Sequence, residues 1–347
     1  MTDIPILLPQ VGQTVSGQAA TVLHTTHRRR PVPRFVASSV SKNGPLVTGS
    51  PHSGQTFTST PVRSYPQFQQ LACSCWAIRS DGTPSYALRM ASTSPTERFT
   101  TTARFDAVIC DIDGCLSPEG HAPMAGELLV RIAEHNRLAS SNRDRPIVTL
   151  CSGRPQPFVE AMCRLIHNDR LPCVAEMGVW LFDPTSNANI IDPAITPEHL
   201  SKIDEARRWA QSELGPRGVT IQPGKTASVS LYHEDTASLK SLMPMLETTF
   251  RVCNWPLRVS DTWLYVNCDL AFVSKKTGID RLIERTGLDP TRLAGIGDTM
   301  SDAAIRESVA WFGCPANAAD ELKPLADRVA ERREAEGVLE LLEELSA

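Results

Sequence analysis

A chain of 347 residues, 41% hydrophobic and 21% charged, has room for a sizeable core in one large domain or two. Its formal net charge of −4 hides a split. Residues 1–100 carry nine bases against three acids and the rest 26 against 36; so acidic a body argues against nucleic acid as the main partner, and no apolar run is long enough to span a bilayer.

Residues 1–103 read as a disordered N-terminal extension. They are rich in Ser, Thr, Pro, Gly and Gln and show no sustained helical or strand period. The acid-poor HRRR run from His27 to Arg30 admits an organelle transit peptide. The plainer reading, a dispensable tail or a true start at Met90, is favoured. From residue 104 the text becomes regular. FDAVICD (105–111) is a continuous apolar strand of the kind buried on both faces of a parallel sheet. A helix follows over 123–139, a strand over 146–152, a helix over 155–167, and two short strands over 173–183, broken at Gly178. Residues 275–287 form a helix, 292–298 a strand, 300–308 a short helix, 309–314 a strand and 337–346 a final amphipathic helix. Strands alternating with helices predict a doubly wound parallel sheet in an α/β core built from 104–183 and 273–347.

Residues 184–272 interrupt that rhythm. The pattern there is helix (197–214), strand (219–222), strand (226–232), helix (236–250), strand (257–260) and strand (262–268). This αββαββ order predicts a small inserted α+β domain, and ligands often bind between such a domain and the carboxyl ends of core strands.

The ten cysteines suggest no disulfide framework. Cys110, Cys151, Cys173 and Cys268 sit in or beside apolar runs, and Cys73 with Cys75 lacks the second pair that a zinc site needs. With no secretory signal at the N-terminus, a reducing cytoplasm is the simplest compartment.

Polar groups collect at the predicted strand ends. Asp111 and Asp113 follow the first strand, Ser152 the second, and Asp298 and Asp302 a later one; Lys275 or Lys276 opens the helix leaving the insert. Carboxylates can hold a hard cation such as Mg²⁺. A hydroxyl at a helix N-terminus can receive a phosphoryl oxygen, a lysine can offset its charge, and an aspartate can attack phosphorus.

In this respect the chain resembles the haloacid dehalogenase superfamily, and within it the Cof-type and sugar-phosphate phosphatase branch with an αββαββ cap. The resemblance covers residues 104–347 and rests on DIDGCL (111–116), TLCSGR (149–154), VSKKTG (273–278) and GIGDTMSD (295–302), in that order. It implies that Asp111 forms an aspartyl-phosphate and that Asp113 is general acid, then base for water. It implies that Ser152, Gly153 and Lys275 bind the phosphoryl group. Mg²⁺ would be held by Asp111, the backbone carbonyl of Asp113, Asp298 and, directly or through water, Asp302. The implied activity is Mg²⁺-dependent hydrolysis of a small phosphate ester, by resemblance a sugar phosphate. Two departures stand out: Lys275-Lys276 where the family usually has Lys-Gly, and Met177-Gly178 where relatives often carry Asn-Gly.

Other residues admit a plain reading. Arg154 would clasp substrate or cap a local acid, and Lys225 would face the substrate or solvent. His121 reads as solvated, and Trp180, Trp255 and Trp263 as packing. Glu176, at a strand end, would lie at the metal or merely near it. A sugar phosphomutase and a non-catalytic binding protein are the competing functions. Asp113 favours an enzyme acting on a poor leaving group, and no motif is eroded as a binding protein would allow. Substrate identity and oligomeric state are not encoded in these motifs.

Overall fold

The computed structural model describes residues 98–346. In chain order the main elements begin with β1 (Ala107–Cys110), α1 (Gly126–Asn142), β2 (Ile147–Leu150), α2 (Gln156–Leu165), β3 (Cys173–Ala175), β4 (Trp180–Asp183) and β5 (Ala188–Ile191). Next come α3 (Pro197–Glu213), β6 (Thr220–Ile221), β7 (Ser228–Tyr232), α4 (Thr236–Ser241), α5 (Met243–Val252), β8 (Leu257–Asp261) and β9 (Tyr265–Leu270). The chain finishes with α6 (Lys275–Thr286), β10 (Leu293–Ile296), α7 (Ala303–Arg306), β11 (Trp311–Cys314), β12 (Arg328–Val329) and α8 (Glu334–Leu345).

A five-stranded sheet, ordered β12-β11-β10-β1-β2, is the centre of the molecule, and all its pairings are parallel. Successive side chains of a strand point to opposite faces, so an apolar strand feeds two cores at once. Val108 and Cys110 join a cluster with Leu129 of α1, Val159 of α2 and Leu341 of α8. Ala107 and Ile109 join a second cluster with Ile279 of α6 and Ile305 of α7. This is the expected doubly wound α/β core. β3 touches β2 through a single parallel bridge, Cys151 to Val174, and then forms an antiparallel sheet with β4 and β5.

The intervening elements run α3-β6-β7-α4-α5-β8-β9 and carry a four-stranded antiparallel sheet ordered β6-β7-β9-β8. Its apolar face, with Val229, Leu231, Val266 and Cys268, packs on Ile203 and Ala206 of α3 and on Leu246 and Phe250 of α5. The alternate positions are polar. Ser228 stands opposite Asp269, Ser230 opposite Asn267, and Tyr232 opposite Tyr265. One face is thus a core and the other a polar surface.

Three readings are corrected here. Residues 188–191, expected within the insert, pair with β4 as β5. The helix expected over 236–250 is two helices: Pro244 has no N–H to continue a ladder through Leu242. Residues 98–103, assigned to the extension, pack on the core. Phe99 is buried, and buried Asp106 accepts bonds from the Thr101 amide at 2.7 Å and from Arg292 at 2.7 and 2.8 Å. The expected extension over 1–97, the Met90 start and the Cys73–Cys75 pair lie outside the described residues.

Candidate active site

The functional side chains hang from the carboxyl ends of adjacent parallel strands. Cys110 of β1 stands beside Ile296 of β10, and the Asp111 amide donates to the Ile296 carbonyl at 3.0 Å. Asp111 and Asp298 therefore emerge side by side. The chain then turns at once: the Gly114 amide reaches the Ser117 carbonyl at 2.7 Å, and Asn317 donates to the Gly114 carbonyl at 2.8 Å. Gly114 has φ +75°, and a Cβ there would lie 1.9 Å from Asp298 Oδ2. Glycine is required here both for its backbone conformation and for the space it leaves to Asp298.

Asp111, Asp298 and Asp302 are all buried, and one oxygen from each lies within 4.8 Å of the others. Lys275, the first residue of α6, reaches into this group. Its Nζ is 3.0 Å from Asp111 Oδ1 and 2.6 Å from Asp302 Oδ1. Lys276, one helical step round, points outward to Asp280. The choice between the two lysines is thereby resolved in favour of Lys275 as the one in the cluster. Asp302 is held from both sides, because its Oδ2 accepts the amides of Asp298 at 3.0 Å and Thr299 at 3.1 Å. Asp298 Oδ1 is buried with no hydrogen-bond partner among the described residues.

One cation among three buried carboxylates leaves excess negative charge. Burial, reinforced by Asp302 and Asp113 and only partly offset by Lys275, pushes the Asp111 carboxyl up to about 8. Burial and the neighbouring Asp302 and Asp111 push Asp298 up to about 9. An orphaned oxygen, three convergent carboxylates and the gap kept by Gly114 fit a hard divalent cation with oxygen ligands.

The other predicted residues surround this floor. Ser152 is buried, and its Oγ accepts the Arg154 amide at 3.2 Å. Gly153 lines the same cavity. The Asp113 side chain is not part of the carboxylate cluster. Arg154 grips it with two bonds, Nε to Oδ2 at 2.7 Å and Nη2 to Oδ1 at 2.6 Å. Arg154 thus caps a local acid here. Lys225 lines the cavity from the opposite side and donates to Ser230 Oγ, which in turn donates to Asn267. Burial lowers the Lys225 pKa, against the pull of Asp269 and Glu176.

Glu176 is not in the carboxylate cluster; it binds residues 226–228. His121 contacts Tyr232 at 3.1 Å, Trp255 is buried in the inserted module, and Trp263 is exposed. Sequence reasoning missed other residues of the lining, among them Glu119, Gln222, Thr262, Tyr265 and Asn267. For Tyr265 and Asn267 the period-2 polar positions of YVNCDL were the available signal; Glu119, Gln222 and Thr262 lie outside the strands and had none. Together these groups enclose a cavity of about 60 Å³.

A model of the haloacid dehalogenase-like hydrolase family matches residues 225–342. A phosphoglycolate phosphatase of Methanopyrus kandleri is 30% identical over 159 residues, covering 44% of this chain and 66% of the relative. One from Methanospirillum hungatei is 21% identical over 237 residues, covering 68% and 94%. The chain spans 66% of the Methanopyrus kandleri relative and 42% of a phosphoglycolate phosphatase from Methanothrix thermoacetophila, just under two thirds and under half of their lengths. Among solved structures, a HAD/COF-like hydrolase from Plasmodium vivax is 16% identical, with TM-score 0.53 over 69% of this chain and 97% of that one. A haloacid dehalogenase-like hydrolase from Bacteroides thetaiotaomicron is 16% identical, with TM-score 0.51 over 70% and 99%. The ordered motifs, the parallel sheet that brings them to one edge and the family-model match over residues 225–342 make the chain similar to the haloacid dehalogenase-like hydrolases, whose fold it shares.

Proposed function

We propose that the chain is a Mg²⁺-dependent phosphomonoester hydrolase acting through an aspartyl-phosphate on Asp111. The observation that carries this reading is the buried trio Asp111, Asp298 and Asp302 with Lys275 among them, at the floor of a polar cavity. Mg²⁺ held by Asp111, Asp298 and Asp302, with the Asp113 carbonyl, would supply positive charge for the phosphoryl oxygens.

The chain's own residues divide the remaining work. Asp111 attacks phosphorus as the ester oxygen departs, and the Lys275 ammonium beside it offsets charge on the transferring group. Ser152 and the Gly153 backbone receive phosphoryl oxygens. Asp113 gives a proton to the leaving oxygen, then takes one from the water that opens the aspartyl-phosphate. Both Asp113 oxygens are engaged by Arg154. An arriving dianion competes with Asp113 for the same guanidinium.

The named activity of the phosphoglycolate phosphatases, together with Lys225 in the cavity wall, supports a short ester bearing a carboxylate as substrate. The neutral amide and hydroxyl groups of Asn267, Gln222 and Thr262 suit a sugar phosphate, the alternative. The test is phosphate release by the purified full chain from a panel of both ester types. We expect release that ceases on chelation, returns with Mg²⁺ and is abolished for every ester by Asp111→Asn. Full-rate release by chelated protein would overturn the mechanism. Transfer between sugar hydroxyls without free phosphate would indicate a mutase.

A further inference from the structure

Glu176 is placed at some conformational cost. It and Met177 both sit in the left-handed region, with φ of 49° and 56°, which residues carrying a Cβ seldom adopt. Its carboxylate is fully buried and makes no ion pair within 4 Å among the described residues. The turn aims that carboxylate at the inserted module. Oε1 accepts the Thr226 amide at 2.8 Å, the Ala227 amide at 2.7 Å and Ser228 Oγ at 2.9 Å; Oε2 accepts Thr226 at 3.0 Å. A residue at the end of a core strand thus holds three consecutive residues of the module. Charge-assisted bonds of this kind are the stronger ones.

The residue just before that anchored stretch is Lys225. Its carbonyl accepts from Arg207 at 3.1 Å, and its ammonium donates to Ser230 over the cavity. The other cations lining the cavity are committed, Lys275 to Asp111 and Asp302, and Arg154 to Asp113. Lys225 has no carboxylate within 4 Å among the described residues, so it is the cavity cation free to meet a second anionic group.

We infer that Glu176 is a positioning residue: by pinning residues 226–228 it fixes Lys225 over the cavity, where Lys225 selects phosphate esters that carry a carboxylate. This rests on the phosphatase reading above. The test uses the full chain with Mg²⁺, comparing phosphoglycolate with p-nitrophenyl phosphate. Glu176→Gln should raise KM for phosphoglycolate about tenfold, the effect of one lost charged contact, while kcat stays within about twofold and p-nitrophenyl phosphate changes little. Lys225→Met should raise the same KM, and the double variant should be no worse than Lys225→Met, because the two act through one contact. In Glu176→Gln, amide exchange should quicken at Thr226 and Ala227 while Val229 and Leu231 stay protected.

Equal fractional loss of kcat for both esters, additive KM effects or unchanged exchange at Thr226 and Ala227 would overturn the inference. If Glu176→Gln does not fold, Lys225→Met decides alone, and an equal KM change for both esters refutes the selection. If the parent chain hydrolyses neither ester, the phosphatase reading fails, and the exchange measurement still judges the anchor.

Discussion

The floor and the roof of the cavity are built on opposite principles. The floor gathers charge at the ends of parallel strands: Lys275 pairs with two aspartates, Asp302 with Lys275 and two amides, and Asp298 Oδ1 has no hydrogen-bond partner among the described residues. The roof is one face of an antiparallel sheet on which hydroxyls and amides bond to each other, with Lys225 beside them and Asp269 opposite Arg258 as its charged pair of positions. A network of opposed buried charges tolerates little change, since removing one partner strands the other at a cost of about 3–5 kcal/mol. The neutral hydroxyls and amides of the roof can be altered one at a time at smaller cost, each hydrogen bond contributing about 1 kcal/mol. The floor should therefore govern whether reaction occurs, and the roof which ester reacts.

Asp113 lies on the margin of the floor and tests the first half of that division. Its proposed task is moving protons, so its importance should follow the leaving group. With a sugar or carboxylated alkyl ester the departing alkoxide must be protonated, and Asp113→Asn should lose about 10²–10⁴-fold in rate. The phenolate leaving p-nitrophenyl phosphate is stable without a proton, so its first step should survive. The second step still needs a base, and rapid mixing should show a burst of nitrophenol near one equivalent per site followed by slow turnover. If Asp113 serves only to hold Arg154, both esters should lose activity equally, without a burst, and Arg154→Gln should reproduce the loss.

The floor was legible in the sequence and the roof largely was not. Asp111, Ser152 and Asp298 each end a short apolar run, and such runs announce both the strand and the edge at which it stops. Lys275 was preferred to Lys276 only through the resemblance, because the start of a helix must be known to within one residue to say which side chain turns inward. The contacts of Glu176 were illegible for a different reason: its partners lie 50 to 52 positions away, and local pattern carries nothing about that contact. β5 and β12 escaped notice because ANII and the two-residue RV show no usable period. The polar face of the inserted sheet was present as alternation in β7 and β9, but hydroxyls and amides at period 2 look like any solvated strand until something is known to lie beneath them.

A variant of the roof should behave unlike one of the floor. Asn267→Ala removes the acceptor of the Ser230 hydroxyl and so loosens the support of Lys225. A hydrogen bond worth about 1–1.5 kcal/mol to one substrate and not to another changes their relative kcat/KM by up to about tenfold. We expect Asn267→Ala to reorder preferences within a panel of esters by about that factor. A uniform loss over the whole panel would erase the distinction between floor and roof.

The smallest expected effect concerns the floor alone and is read in stability. An unfolded carboxyl ionises near pH 4, roughly the model-peptide value. In the folded chain without a cation, burial and mutual repulsion push Asp111 up to about 8 and Asp298 to about 9. Between those limits the folded chain keeps protons that the unfolded chain has released. Stability then falls as pH rises, because the native state binds more protons over that interval. The contribution is fully present below about pH 4 and lost as pH climbs through the folded values. Mg²⁺ would take the place of those protons, leaving the carboxylates ionised but paired. Melting curves in chelator should therefore fall by a few degrees relative to those in Mg²⁺ between about pH 5 and 8, about 1 kcal/mol being worth a few degrees in a chain of this size. Mixing Mg²⁺ with chelated protein near neutral pH should release protons. Two melting curves that run parallel across the interval, with no proton release, would mean that the three carboxylates already share the floor as ions and need no cation to do so.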